Sequence, residues 1–251
     1  MEVHHHSHIP TSREKKWTHY LWEFLMLFLA VFCGFLAENQ REHFVENKRE
    51  KILIRSLLKD LEADTANAKA CLNDTMRIEK LDSLLDILYQ PAINNMDVRK
   101  AYFFNRRFVF AWTPMDFNRN TITQLKYGGN MRLIKNQKVV DSLNGLELLM
   151  IFLDDQQKSV RDGMHYSAQL SDEIFNSDFF RVDRKFQRSD FILTSKIPPR
   201  FMTNDILLIQ KYANSITALR GRTINYHLQL KDYITTNVDL IRLIRKEYHL
   251  K

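Results

Sequence analysis

The sequence predicts an all-α protein: one N-terminal transmembrane helix that continues into a stalk and then into a bundle of long antiparallel helices. Three observations carry this prediction. Residues 17–37, WTHYLWEFLMLFLAVFCGFLA, form an apolar run about 21 residues long, or roughly 31 Å as a helix, which is enough to cross a bilayer. Only 6 Gly and 5 Pro occur in 251 residues, far below average usage, so few points can interrupt a helix. Beyond the apolar run, hydrophobic residues recur at spacings of three and four over long stretches, and no strand-like alternation of any length competes. With 45% hydrophobic residues, the roughly 210 that follow the apolar run can bury the core of one sizeable domain.

Residues 1–16, MEVHHHSHIPTSREKK, are a polar N-terminal tail, too short to fold alone. His4, His5, His6 and His8 are of the type that ligates Zn, Cu or Ni. In a flexible tail such a cluster binds metal only adventitiously, so no metal site and no cofactor is expected.

The run at 17–37 differs from its rivals. A signal peptide has a shorter apolar region ending in a small-x-small cleavage site, whereas here Phe35, Leu36 and Ala37 precede Glu38. A lipoprotein signal would put a small residue before the cysteine, but Phe32 precedes Cys33. Trp17, Tyr20 and Trp22 cluster at the front end, where amphipathic rings prefer the headgroup level. Glu23 lies inside the span and is a candidate intramembrane polar site. His19, one turn earlier on the same face, is its natural local partner. Arg13, Lys15 and Lys16 are the bases nearest the membrane, which favours a cytoplasmic N-terminus and an extracytoplasmic C-terminal domain.

Residues 38–53 read as a helical stalk, charged throughout, and residues 54–251 as the helical-bundle domain. No Gly or Pro interrupts 38–90, so one continuous helix is expected there, with a stripe through Ile54, Leu58, Leu61, Thr65, Ala68, Leu72, Thr75, Leu81, Leu85 and Leu88 and an end before Pro91. Asn94, Asn95 and Asp97 mark a turn and a new helix start. Thr121 to Tyr127 reads as a short helix stopped by the Gly128-Gly129 pair, and Asn136 can cap the long helix that follows, from Gln137 to about Asn176. Thr203 or Asn204 is expected to cap the last helix, from Asp205 to about Tyr248, with Ile234 and Val238 on its buried stripe.

Two aromatic connections separate the helices, residues 102–117 and 179–191, and are expected to pack together with a subset of rings left exposed. Within the first, Tyr102, Phe104, Phe108 and Trp112, with Arg106 and Arg107 supplying polar contacts, are the candidate partner-binding residues, because aromatics and Arg are enriched at binding hot spots. The formal charge of +7 raises nucleic acid as a partner, yet Lys and Arg alternate with Asp and Glu along helical faces, so none is expected. The two cysteines stand far apart in sequence and give no disulfide framework. No HExxH, CxxC, Walker lysine, GxSxG or GxGxxG motif is present, and Gly128-Gly129-Asn130 with Arg132 is only a weak anion-binding signal.

The opening MEVHHH, the span EFLMLFLAVFCGFLAEN and the segment QLKYGGNMRLI together resemble a group of uncharacterised single-pass membrane proteins of Bacteroidota. The resemblance covers the first 60 residues or so and the QLKYGGNMRLI region. It implies a bacterial inner-membrane location and native rather than added histidines. It implies no catalytic residues. The function expected is therefore a non-catalytic, membrane-anchored helical interaction or scaffolding module of the envelope, meeting other envelope proteins or itself. The alternative is an extracytoplasmic sensor or small-ligand receptor with a pocket between the aromatic connections.

Overall fold

The computed structural model describes residues 17–72, 75–180 and 198–250. The histidine cluster and most of the second aromatic connection, including Phe186 and Phe191, lie outside the described residues. Among the described residues the chain is helical without strands: α1 (Trp17–Leu72), α2 (Thr75–Leu88), α3 (Val98–Phe104), α4 (Asn120–Tyr127), α5 (Gln137–Ile174) and α6 (Ile206–Tyr248), with short 3-10 turns at Ile93–Asn95, Asn130–Leu133 and Ser177–Phe180. The all-α class predicted from the Gly and Pro counts and the helical stripes holds. The chain divides into two compact units, residues 1–52 and 53–251.

In the first unit, α1 is long and apolar enough near the N-terminus to cross a membrane, and none of its apolar window is buried. Phe24, Phe28 and Phe32 stack along one face at 6.3 and 5.8 Å between ring centroids. His19 Nε2 lies 3.1 Å from Glu23 Oε1. The carboxylate thus has the local partner that the i, i+4 spacing provides.

In the second unit, α1 and α2 both run antiparallel to α6. Arg245 pairs with Glu62 at 2.8 Å, Tyr233 donates to Asp64 at 3.2 Å, Arg220 donates to Asp82 at 3.0 Å, and Tyr89 donates to Asn214 at 2.8 Å. Positions climb along α1 and α2 as they fall along α6. On its other side α6 packs antiparallel to α5, where Ser167 and Ser215 share a 3.0 Å hydrogen bond and Asn225 donates to Gln156 at 3.0 Å. The core joins Ile54, Leu57, Leu61, Leu81, Leu84 and Leu88 to Leu146, Leu153 and Val160 of α5 and to Ile209, Ile216, Leu219 and Ile244 of α6.

The helix boundaries follow their capping chemistry. Asp97 accepts from Lys100 N at 3.0 Å and opens α3, and Asn136 accepts from Lys138 N at 2.9 Å and opens α5, as the sequence predicted. One boundary differs from expectation, and one expected run is described only in part. The helix expected over 38–90 is described on either side of residues 73–74, which lie outside the described residues: α1 to Leu72 and α2 from Thr75 to Leu88. The cap of α6 is Asp205, which accepts from Leu207 N at 2.9 Å and Leu208 N at 3.3 Å. Thr203, two residues before the cap, instead accepts from Asp205 N at 3.0 Å.

After α4 the chain turns at Gly128-Gly129. Gly129 sits at φ +64°, the left-handed region, and it is the second glycine, not the first, that supplies this conformation. Gly128 serves close approach: a Cβ there would lie 2.5 Å from the carbonyl oxygen of Gln124 and 2.6 Å from Asn130 Nδ2. Asn130 Nδ2 in turn donates to Gln124 O at 2.9 Å, closing the turn on the end of α4. Gly129→Ala is expected to cost about 1–2 kcal/mol for the left-handed backbone alone. Gly128→Ala should cost more, because a backbone oxygen must move. Chemical denaturation of the purified full-length chain checks the order, and equal midpoints for both variants and the wild type would refute it.

Candidate functional site

The first aromatic connection was the sequence-level candidate, and a chain of buried polar links fixes it to the helices. Tyr102 in α3 is fully buried. Its hydroxyl donates to Arg200 O at 2.9 Å and accepts from Asn176 N at 2.8 Å. The end of α3 widens into one π-helical turn, Asn105–Val109. Buried Asn105 donates to Ser171 Oγ at 2.9 Å and accepts from the Tyr212 hydroxyl at 2.5 Å. The buried guanidinium of Arg77 donates to Phe108 O at 2.9 Å and Val109 O at 3.1 Å. A cation at the carbonyl end of a helical turn is favourably placed.

From Phe110 to Arg119 the connection leaves helical geometry, and side chains of α1 and α6 satisfy its backbone donors. Met115 N donates to the Tyr226 hydroxyl at 3.2 Å. Asn118 donates to Asp64 through its backbone N at 3.0 Å and its side-chain amide at 2.7 Å. Thr121 Oγ1 donates to Asp60 at 2.6 Å. Asp64 is 1% exposed, and burial pushes its carboxyl above the usual carboxylate range, partly offset by the bonds from Asn118 and Tyr233. Burial likewise raises the Tyr102, Tyr212, Tyr226 and Tyr233 hydroxyls, which stay protonated as fixed hydrogen-bonding groups.

This changes the set of partner-binding candidates. Tyr102, expected among the exposed rings, is a core residue: its ring meets Phe175, Phe179 and Phe201 at 4.9, 5.4 and 6.4 Å, and both sides of its hydroxyl are occupied within the domain. Phe104, Phe108 and Trp112 are half-buried, Arg107 is half-buried and Arg106 is exposed. Phe103, Phe104 and Phe108 meet one another at 5.8 to 6.1 Å, and Trp112 stands edge-on to Tyr226 at 5.6 Å. The two connections do touch through Tyr102 and Phe179; residues 181–191 lie outside the described ones.

Two features escaped the sequence reading. The first is an apolar patch on α5, where Leu148, Ile151 and Phe152 are 68%, 53% and 48% exposed. Tyr127, 88% exposed at the end of α4, lines a shallow cleft together with Ile151. The second is a pocket of about 310 Å³ between the connection and α5, walled by Phe110, Trp112, Pro114 and Met164 and edged by Arg161 and His165. A broader concavity of about 970 Å³ includes Asn94, Met96, Phe179 and Phe201 and borders the point where the chain leaves the described residues. Among the described residues no three His, Cys, Asp or Glu side chains converge as metal ligands would. Comparison with protein-family models, curated proteins and solved structures found no match.

Proposed function

We propose that this chain is a non-catalytic, membrane-anchored helical interaction module of the bacterial envelope, with its N-terminus in the cytoplasm and its bundle in the periplasm. The observation that carries the reading is the α5 patch. Ile151 and Phe152 sit one turn after Leu148 on the side of a well-packed helix turned away from the core, with Tyr127 beside Ile151. Contiguous apolar side chains cost solubility on a soluble face and mark contact surfaces. The apolar span at 17–37 and the resemblance to single-pass membrane proteins of Bacteroidota support the location. Arg13, Lys15 and Lys16 support the orientation.

Site-specific photo-cross-linking in cells tests it. A photoreactive residue at Phe152 in the full-length chain should give a discrete adduct that disappears when Ile151 is changed to Glu. The same probe at Asp239, on an exposed polar face, should give none. The Ile151→Glu change itself should move stability by no more than about 0.5 kcal/mol, as surface substitutions do. An adduct near twice the 30.0 kDa chain mass identifies a second copy, and any other discrete mass a different partner. Equal labelling at Phe152 and Asp239 would overturn the reading.

A further inference from the structure

We propose that the pocket beside Trp112 binds a small apolar carboxylate, its ring or short chain seated on the aromatic wall and its carboxylate held by Arg161. This goes beyond the docking reading and uses residues further along α5. The pocket's roughly 310 Å³ holds about ten water-sized volumes of ~30 Å³, the bulk of one ring with a short acid chain. Its floor and walls come from Phe110, Trp112, Pro114 and Met164, so an apolar body gains by displacing water there. The wall is set before any ligand arrives: Trp112 stands edge-on to Tyr226, and the Tyr226 hydroxyl holds Met115 N three residues further along the loop. A preformed wall lowers the ordering cost of binding.

The charge of the rim selects the ligand. Arg161 and His165 lie one turn apart on α5 and both line the pocket, and no Asp or Glu lines it. Nearby cations elsewhere on this side are already matched, Arg119 with Asp154 at 2.5 Å and Lys126 with Glu147. Among the described residues neither Arg161 nor His165 has an ion-pair or hydrogen-bond partner. Arg presents paired N–H donors that fit a carboxylate two at a time, and the adjoining imidazole adds a third donor when it faces an anion. A neutral ligand of the same shape would leave that guanidinium unmatched.

Fluorine NMR on the full-length chain in detergent micelles tests the proposal, with 4-fluorophenylacetate as the probe and 4-fluorophenylacetamide as its neutral twin. Empty micelles correct for partition into detergent. The acid should broaden in the presence of protein at millimolar concentration, and the amide should bind about tenfold more weakly, the factor that 1.4 kcal/mol of a charge-assisted bond represents. Arg161→Gln should abolish the difference between acid and amide. Ala168→Leu, which fills the pocket from α5 and leaves Trp112 and Tyr226 themselves unchanged, should abolish binding of both. Equal binding of acid and amide, binding of the acid unchanged by Arg161→Gln, or no broadening beyond empty micelles at roughly 10 mM acid would each overturn it. Failure here leaves the cross-linking result at Phe152 untouched, so the two readings fall separately.

Discussion

Asp64→Ala is expected to destabilise the second unit by about 3 kcal/mol, because it strands three donors at once. The backbone N–H and side-chain amide of Asn118 and the hydroxyl of Tyr233 all end on this carboxylate, in a region where the carboxylate is 1% exposed. Each donor left buried without an acceptor costs about 1–3 kcal/mol, partly offset by the relief of burying a charge. Asp64→Asn should cost far less. Its carbonyl can accept from Asn118, and its amide can donate to the Tyr233 oxygen if the hydroxyl turns. The same pair of proteins reports the electrostatics. Burial raises the Asp64 carboxyl in the folded state, so the folded chain takes up a proton at higher pH than the unfolded chain does. The stability this residue contributes is therefore fully present below the unfolded value, ~3.9, and is lost as pH rises through the folded value. Wild type should gain on Asp64→Asn as pH falls from neutral into the acid range. Other titrations are common to both proteins and cancel in the difference. Urea midpoints of both chains at several pH values check this, and a difference that shrinks with falling pH would contradict it.

What the sequence disclosed and what it hid divide along the range of the interactions. The span at 17–37, the caps Asp97 and Asn136, the glycine stop after Tyr127 and the α1–α2 stripe depend on residues within a few positions of one another, and periodicity and capping rules reach them. The site depends on partners far apart. Asp64 meets Tyr233 across 169 positions and Asn118 across 54, and nothing local in ADTAN marks Asp64 as buried. On α6 the apolar stripe suggested Ile234 and Val238, which are half-buried, whereas Tyr233, Asn237 and Leu240 fill the core beside α1. Asn237 explains the rotation: its amide donates to Leu61 O at 2.9 Å and Thr65 Oγ1 at 3.1 Å, so a polar residue takes an inward position. On α5, Leu146, Met150 and Leu153 make one apolar face and Leu148, Ile151 and Phe152 another. The face whose repeat continues through Leu143, Val160 and Leu170 is the one the core takes, while Leu148, Ile151 and Phe152 span a single turn and stay in water. The aromatic connection looked like a binding surface for a related reason. Composition records that many rings are present, while their burial depends on Phe175 and Phe201 arriving from distant segments.

Tyr102 shows which of those rings hold the domain together, and Tyr102→Ala is expected to cost about 3–5 kcal/mol, the range for emptying a large aromatic site in a core. Its ring packs against Phe175, Phe179 and Phe201, edge-on to the first two and stacked on the third. Tyr102→Phe keeps those contacts and removes only the hydroxyl that joins Arg200 O to Asn176 N. Asn176 N would then lose its acceptor and Arg200 O its donor at a half-buried site, so about 1–2 kcal/mol should go. The ratio between the two variants matters more than either value. A ring that served only a partner would leave the isolated chain's stability nearly unchanged in both, within about 0.5 kcal/mol. Phe103→Ala offers the contrast from the same helix: Phe103 is 42% exposed, and its loss should cost well under half of what Tyr102→Ala does. Denaturation midpoints of the three variants, measured on the full-length chain in one detergent, decide it. If Tyr102→Ala and Phe103→Ala fall together near the wild type, the connection is a surface element and the polar links that tie it to α1, α5 and α6 do not hold it in place.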